Sequence, residues 1–356
     1  MIHPRTRRRL MLPVALVLAL SIAACSNGDG SDETATDAPA TTAAATDAAD
    51  GSGTDSPPGA ASGEFSVLSY NVAGLPAEVS EVDPAEHLPL ISPKLNDFDV
   101  VMTQEDFDWW KPDGLAAGLD FVNYHERLRA DATHDFQSPQ HPGPDAVGLA
   151  ADRRDVLEVG DGLGVISRLP SMATSESRGP VASVGSTPTM SRAGRLPLHE
   201  GFFAHRLQPA DGLSVDLYNL HGEAGRTDED QSLQAEGFAD LAAYIEEHSE
   251  GNAIILGGDT NLHIDPAGPD AHPDAHDGED QVIWNDFLDA TGLIDACDAT
   301  KCDGPLEIDK FAFRSSDEIS LEVTDYRFVA SDFVDEAGEP LSDHDPLLAR
   351  FDWSAG

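Results

Sequence analysis

Nine short apolar segments of strand length are spread along residues 65–351, and this distribution constrains the fold more than any other feature. The predicted strands span residues 65–70, 99–104, 162–167, 201–207, 213–220, 253–256, 308–313, 321–329 and 346–351. Apolar runs this short, separated by turn-forming residues, are typical of strands. Many strands with few helices predict an α+β fold in which two packed, mostly antiparallel sheets form the core and helices cover the outer faces.

One helix is predicted clearly, over residues 228–250, because apolar residues recur there at helical spacing. These residues are Leu233, Phe238, Leu241, Ala242 and Ile245. Thr227 with Asp230 has the pattern of a capping box, and Gly251 is a natural stop.

The beginning of the chain has the pattern of an export signal. Four arginines precede an apolar run that ends at Ala24, which is too short for a membrane span and predicts a signal peptide over residues 1–24. The following Cys25 resembles the lipidated cysteine of a bacterial lipobox, and an ordinary signal peptide with an incidental cysteine is the alternative. The arginines also resemble a twin-arginine signal, so the export route is left open between the twin-arginine pathway and the Sec pathway.

Residues 26–63 contain Ser, Thr, Ala, Asp, Gly and Pro but no large apolar side chain. Such a segment cannot bury enough surface to offset the entropy of ordering. We therefore expect residues 25–63 to be a lipidated cysteine with a flexible tether. It would hold a monomeric domain of residues 64–356 at the cell membrane, outside the cytoplasm.

The chain carries 65 acidic and 21 basic residues, for a formal net charge of −44. Such an average field repels a phosphate backbone, which disfavours nucleic acid as the principal partner. A local basic groove or bound divalent cations can reverse the sign of the potential at a site. Nucleic acid therefore stays a secondary alternative.

Two cysteines, Cys297 and Cys302, remain besides Cys25. An exported protein meets an oxidising compartment, so a small disulfide loop is favoured over two free thiols. Two cysteines alone would not make a structural zinc site.

Polar residues stand at the ends of several predicted strands. Glu105 follows an apolar strand and is a hard carboxylate suited to Mg²⁺, although a solvated acid at a strand end is an equal alternative. Asp259 and Asn261 follow an apolar strand through Gly257 and Gly258, where glycines allow a sharp turn and close approach to a ligand. A simple turn is the alternative there.

Histidines supply the candidate proton carriers. His344 lies between Asp343 and Asp345, and nearby carboxylates fix the tautomer of an imidazole and make it a better base. His221 follows the strand predicted at residues 213–220. Either histidine alone reads equally well as a surface residue, so their joint occurrence with the other strand-end residues carries the argument.

Taken in order, these motifs resemble the endonuclease/exonuclease/phosphatase superfamily over nearly all of residues 64–353. The matching segments are Ser69-Tyr70-Asn71-Val72, Gln104-Glu105, Gly164 to Pro170, Glu200-Gly201-Phe202, Asn219-Leu220-His221, Gly258-Asp259-Thr260-Asn261, Ile308-Asp309 and Ser342-Asp343-His344. The combination is specific, although no single motif is.

This resemblance implies a four-layer α/β/β/α sandwich and divalent-metal phosphoester hydrolysis by in-line attack of water. It implies that Mg²⁺, or alternatively Mn²⁺ or Ca²⁺, is held on the side of Asn71, Glu105 and Asp343. The implied catalytic residues are His221, Asp259, Asn261, Asp309 and His344. Asp309 would orient His344, and the choice between Asp259 and His344 as the base is left open.

The chain departs from the family pattern in two places. Leu220 and Gly222 flank His221 where the family often has a small or hydroxyl residue and an apolar residue. Lys310 and Ala312 make the segment after Asp309 irregular. Both departures put local geometry in question.

Export, the lipid tether and the segment Tyr70 to Pro76 look more like secreted sphingomyelinase-like phosphodiesterases than nucleases. We therefore expect a membrane-tethered phosphodiesterase acting on phospholipid head groups or small phosphodiesters. A nuclease is the second reading and a phosphatase on soluble phosphoesters the third. A tethered binding protein without catalysis is a fourth, which the intact set of polar residues disfavours.

Two further features stay open at this level. Trp109 and Trp110 could touch a membrane surface, although core packing is the commoner role of such residues. The His- and Asp-rich residues 263–280 lack regular ligand spacing, so a solvated insertion is favoured over an extra Ca²⁺ or Zn²⁺ site.

Overall fold

The computed structural model of the protein describes residues 61–75, 82–107, 123–139, 162–173, 201–225, 227–264, 278–302 and 308–356. The predictions for the signal segment, Cys25, residues 26–60 of the tether and the pair Trp109-Trp110 lie outside these residues. Ser62 and Gly63, at the predicted end of the tether, belong instead to the first strand, where they pair with the last strand of the chain.

Twelve strands and five α-helices are present in the described part of the chain. The strands are β1 (Ser62–Asn71), β2 (Val100–Gln104), β3 (Phe136–Gln137), β4 (Gly164–Ser167), β5 (Ser171–Ala173), β6 (Gly201–Ala210), β7 (Leu213–His221), β8 (Ala253–Asp259), β9 (Ile294–Asp295), β10 (Asp309–Arg314), β11 (Ile319–Phe328) and β12 (Leu347–Ala355). The helices are α1 (Pro84–Ile91), α2 (Tyr124–Arg129), α3 (Asp228–His248), α4 (Glu279–Thr291) and α5 (Ala296–Thr300). Short 3-10 helices span Ser92–Asp97 and Ala330–Asp332.

The strands form two six-stranded sheets with matching layouts. The first has the order β11-β12-β1-β2-β4-β3 and the second the order β5-β6-β7-β8-β10-β9. Among the described strands, only β1 with β2, and β7 with β8, pair in parallel, and each of these pairs is the central pair of its sheet. All other neighbours are antiparallel. The prediction of two mostly antiparallel sheets is confirmed.

Three apolar layers show how the elements stack. Alternate residues of both sheets, such as Val67 and Ile255, form one core between the sheets. The outer face of the first sheet packs its remaining apolar residues on α1 and α2, and that of the second packs on α3 and α4. Because side chains alternate across a strand, each strand serves an inner and an outer core. The result is the expected four-layer α/β/β/α sandwich.

All nine predicted strands are present with small shifts of their ends. β1 begins at Ser62 because residues 62–69 pair with the last strand, β12. The local sequence around residue 62 does not predict this pairing. The short strands β3, β5 and β9 were not predicted, since two or three residues carry no periodicity. Helix α3 has the predicted capping box, in which Thr227 and Asp230 exchange hydrogen bonds.

The helices of the second sheet are tied together by an arginine and aromatic contacts. Phe238 of α3 lies 5.3 Å from Phe287 of α4 between ring centroids, in an edge-to-face arrangement. Arg314 of β10 donates to the carbonyls of Ser249 and Thr291, at the ends of these two helices. This satisfies orphan carbonyls at both helix ends. No helix in the described ranges is long and apolar enough to cross a membrane.

The end of α5 is closed by a disulfide between Cys297 and Cys302. Asp295 precedes this helix as its N-cap and accepts from the backbone of Cys297. The pair expected from the sequence is therefore joined in the structure.

Gly258 allows the two parallel central strands of the second sheet to lie close together. Its φ is +147°, and an added Cβ would lie 1.9 Å from the carbonyl oxygen of Leu220 in β7. Neither the conformation nor the space accepts a side chain. Glycine at this position is therefore set by the backbone contact that brings β7 and β8 together just before their carboxyl ends.

Gly258→Ala is expected to lower the free energy of unfolding by more than about 2 kcal/mol, since the added methyl forces backbone movement. The matched change Gly237→Ala lies in α3, where an added Cβ meets nothing within 4 Å. It should raise stability by roughly 0.5–1 kcal/mol. Urea unfolding of both variants measures these differences, and equal effects of the two changes would contradict the account of Gly258.

Candidate active site

The polar residues singled out in the sequence meet at one edge of the sandwich. Asn71, His221 and Asp259 end β1, β7 and β8, and Glu105 directly follows β2. These four strands are the two parallel pairs, so their carboxyl ends share an edge within each sheet. β10 and β12 run antiparallel to their neighbours, so Asp309 at the start of β10, and His344 just before β12, reach the same edge.

Asn71 joins the two sheets across this edge. It is fully buried, and its Nδ2 donates to Glu105 Oε1 at 3.2 Å and to Asp259 Oδ2 at 3.1 Å. Its Oδ1 accepts from the backbone of Ala73 at 3.0 Å. One amide therefore fixes the distance between a carboxylate of the first sheet and a carboxylate of the second.

Asp259 is the centre of the group. Its Oδ2 lies 3.6 Å from Nε2 of His221 and 3.6 Å from Nε2 of His344, and its Oδ1 accepts from the backbone of Asn261. Burial favours the neutral acid, but His344, His221 and the hydrogen bond from Asn71 together lower the pKa of Asp259 below its ordinary value. This carboxylate is therefore ionised and faces both imidazoles.

His344 is held between two acids. Its Nδ1 lies 2.8 Å from Asp309 Oδ2, while its Nε2 faces Asp259. Asp309 and Asp259 are directly opposite in the β10–β8 ladder, which explains why one ring meets both. Burial alone would lower the pKa of His344, but these two carboxylates raise it well above its ordinary value. The Asp309 contact also fixes the orientation of the ring.

Asn261 turns the chain after β8 through a left-handed conformation, with a φ of +53°. Its Nδ2 donates to the carbonyl of Gly222 at 2.9 Å, so the side chain ties the loop after β8 to the loop after β7. In this arrangement the amide nitrogen is engaged with the backbone. Asn261 acts on the geometry of both loops.

The departure at Gly222 has a structural reason. Its N donates to the carbonyl of Asp259 at 2.8 Å, and an added Cβ would lie 2.5 Å from the carbonyl oxygen of Thr260. Leu220 is buried in the outer core against α3 and α4. Both residues near His221 that differ from the family pattern are thus accommodated by local packing.

No family model matches the chain. Sphingomyelinases of Mycobacterium bovis and Mycobacterium tuberculosis are 26% identical to it over 311 residues. The aligned region covers 83% of this chain and 54% of each relative, so the chain spans about half the length of the curated relatives it matches. The chain is thus similar in sequence to these sphingomyelinases over most of its own length. The resemblance inferred from its motifs is confirmed.

Solved structures with similarity to the chain include two at low sequence identity. Humanized D. rerio TDP2 is 16% identical with a TM-score of 0.49, over 81% of this chain and 98% of that chain. Sphingomyelinase C from Streptomyces griseocarneus is 15% identical with a TM-score of 0.47, over 83% of this chain and 100% of that chain.

The donors on the Glu105 side fit a hard divalent cation. Among the described residues no three His, Cys, Asp or Glu side chains enclose a metal ion, but Mg²⁺ commonly uses one or two carboxylates with waters and substrate phosphate. Burial raises the pKa of Glu105, and a bound cation would relieve the cost of its charge. Asn71 orients this carboxylate, whereas Asp343 is exposed at the rim and accepts weakly from Ser342.

Several supporting residues were not singled out from the sequence. Asn219 of β7 donates to the carbonyls of Thr103 and Gly164 in the first sheet, both at 2.9 Å, and accepts from Gln104 at 2.7 Å. These buried amides bridge the two sheets directly beneath the site. The sequence could have indicated Asn219, because this residue lies in the motif that contains His221. Nothing in the sequence indicated its hydrogen-bond partners.

Helix α3 supports the loops from behind. Gln234 Nε2 donates to the carbonyls of Asn261 and Glu223 at 2.9 and 3.3 Å, one in each site loop. Gln231 donates to Gln234 and, at 2.6 Å, to Asp280 of α4. The helical spacing of these two glutamines places them on one face, which is the only sequence signal they carry.

The stretch at residues 263–280 was expected to be a solvated insertion, and its described ends differ from that expectation. Asp280 is 1% exposed and accepts from the backbone of His263 at 2.7 Å, which joins the two ends of the stretch. Asp280 is the second residue of α4. The reason is that Gln231 and the His263 backbone provide donors for a buried carboxylate there. Residues 265–277 lie outside the described part.

Lys310 also proves to be buried, at 5% exposure. Burial lowers the pKa of its ammonium to about 8, against the opposing effect of Asp295, Asp309 and Asp259. Because side chains alternate along β10, Lys310 and Asp309 occupy opposite faces of the strand. Lys310, which interrupts the regular pattern after Asp309, thus places a cation on the face of β10 opposite the acidic site.

The pKa of His344 is expected to lie above the ordinary histidine value, and Asp309→Asn should lower it, because the neutral amide stabilises the imidazolium less than the carboxylate does. A pH titration of histidine side-chain NMR signals in metal-free protein measures both values, and His344→Ala identifies the signal. A pKa unchanged by Asp309→Asn would show that Asp309 does not set the charge of this ring.

Proposed function

We propose that the chain is a divalent-metal-dependent phosphodiesterase that hydrolyses phospholipid head groups or related small phosphodiesters. The observation that carries this proposal is the meeting of two imidazoles at one ionised carboxylate oxygen of Asp259, beside the buried carboxylate of Glu105. Water activation and stabilisation of a charged phosphoryl group need these two kinds of groups side by side. The homology to sphingomyelinases gives the reaction class further support.

Asp259 and His344 act as one unit on the attacking water. The choice between Asp259 and His344 as the base that takes the proton of this water stays open, since Asp259 Oδ2 and His344 Nε2 lie only 3.6 Å apart. Asp309 orients His344, and the hydrogen bond from the backbone N of Asn261 restrains the rotation of the Asp259 side chain. This positions the water without reorganisation during the reaction.

His221 lies on the other side of Asp259 and is proposed to donate to a phosphoryl oxygen or to the leaving oxygen. Glu105, oriented by Asn71 and with Asp343 at the rim, would hold Mg²⁺, which when bound neutralises phosphoryl charge and assists the leaving group. Mn²⁺ and Ca²⁺ are the alternatives for this position. The rest of the chain would hold the anionic substrate beside Asp259 and its two histidines.

A phospholipid or small phosphodiester is favoured over nucleic acid by the net charge of −44. A long polyanion meets this field over many phosphates, while a single phosphodiester meets it only once. We also propose that the chain is exported and tethered to the cell membrane through Cys25. A monomer held close to lipid would then find its substrate within reach.

Purified protein with Mg²⁺ is expected to cleave sphingomyelin or phosphatidylcholine, and an aryl phosphodiester, faster than duplex DNA or an aryl phosphomonoester. Parallel assays at equal phosphoester concentration measure this order. Preference for DNA would favour the nuclease, and preference for the monoester would favour the phosphatase.

His344→Ala is the matched inactive protein for these assays and should lower kcat by at least about 10²-fold, since general acid–base catalysis contributes on that scale. Circular dichroism should show an unchanged fold, because His344 lies in a loop before β12. Near-normal activity of this variant would remove His344 from the mechanism. No cleavage by the wild type with Mg²⁺, Mn²⁺ or Ca²⁺ would favour a binding protein.

Cys25→Ser is expected to move the full-length protein from the membrane fraction to the soluble exported fraction, because lipidation requires the thiol. Fractionation of expressing cells with immunoblotting measures this, and Cys297→Ser is a matched control that leaves Cys25 in place. Membrane retention of Cys25→Ser would end the lipoprotein proposal.

A further inference from the structure

Glu105 has an uncommon backbone conformation for its residue type. Its φ is +53°, in the left-handed region that residues with a Cβ rarely adopt. Such a conformation persists only where the surrounding structure determines it. The neighbours of Glu105 therefore have to supply that constraint.

On one side, Glu105 is constrained by the loop that follows β1 and by Gln104, the residue that precedes it. The backbone N of Gly74 donates to the carbonyl of Glu105 at 3.1 Å, and Gln104 is held by its side-chain bond to Asn219. On the other side stands Asp106, which is 3% exposed and whose N donates to the carbonyl of Gly162.

The Asp106 carboxylate is surrounded by donors. His125 Nδ1 lies 3.0 Å from its Oδ1, and Arg129 Nη1 and Thr103 Oγ1 lie 2.6 and 2.9 Å from its Oδ2. Arg129 Nη1 also donates to the carbonyl of His125 at 3.2 Å. Both His125 and Arg129 belong to the short helix α2, so one helix clamps the residue next to Glu105.

Stability alone is a poor explanation for this ion pair. Nε and Nη2 of Arg129 are buried without a hydrogen-bond partner among the described residues. A buried ion pair stabilises a fold only where its remaining donors are satisfied, and apolar residues of similar volume often do as well. The backbone leaves room for the pair, since a Cβ at Gly164 would lie 2.5 Å from Arg129, Asp106 and Thr103 atoms.

We propose that Asp106, clamped by Arg129 and His125, is a positioning residue that holds Glu105 in the backbone conformation needed to bind a divalent cation. The proposal rests on the metal-binding part of the proposed function. Groups that orient a metal ligand typically change metal affinity 10- to 100-fold when they are removed. Asp106 touches neither substrate nor metal in this scheme and acts only through Glu105.

The test measures Mg²⁺ and Mn²⁺ dissociation constants by calorimetry on purified protein. Asp106→Asn should weaken binding about 10- to 100-fold. At saturating metal its kcat should lie within a few-fold of wild type, while the metal concentration for half-maximal rate rises in parallel with Kd. A purely structural residue would lower the melting temperature without this shift.

Asp216→Asn is the matched control. Asp216 is also 3% exposed and paired with an arginine, Arg206, at 2.7 Å, but it lies on β7 five residues before His221. This variant should lose stability and keep the wild-type metal affinity. Equal weakening of metal binding by both variants would overturn the proposal, because general loosening of the fold would then explain it.

His125→Gln removes one of the donors to Asp106 and is the milder variant that decides if Asp106→Asn does not fold. It should weaken Mg²⁺ binding by a smaller factor, and unchanged affinity in a folded variant overturns the proposal. The readout is independent of catalysis. A wild-type protein that binds Mg²⁺ but cleaves no phosphodiester would refute the proposed function and leave this test intact.

Discussion

The shared amide of Asn71 is the interaction on which the rest of the site depends. It donates to Glu105 from the first sheet and to Asp259 from the second, at 3.2 and 3.1 Å. Two buried carboxylates repel each other unless donors or cations lie between them. Asn71 supplies the donor, and His221 and His344 supply the partners on the far side of Asp259. At this edge of the sandwich the two carboxylates, the amide and the two imidazoles therefore stabilise one another, and the arrangement depends on every one of them.

The matching layouts of the two sheets explain why this edge holds the site. Each sheet has one parallel pair, and register places Asn71 beside Gln104 and His221 beside Asp259. A parallel pair brings two carboxyl ends together, whereas an antiparallel pair separates them. Stacking the sheets then gathers four strand ends. Residues far apart in sequence therefore meet because of topology.

Much of this arrangement can be predicted from sequence, and the reason is local. Apolar strand runs predict β7 and β8, and polar residues at their ends predict His221 and Asp259. The supporting residues could not be predicted in the same way. Asp106 is one more acid in a chain with 65 acidic residues, and only the folded structure brings the α2 residues Arg129 and His125 against it. Gln234, likewise, reads as an ordinary helix residue.

The failures of the family pattern are also local, and they carry information about the fold. Gly222 lacks a side chain because the backbone of Thr260 occupies that space. Lys310 departs from the pattern beside Asp309, yet it is buried within reach of the charges of Asp295 and Asp309. In an acidic chain a buried lysine behind the site reduces the cost of ionising Asp259 and Asp309 together.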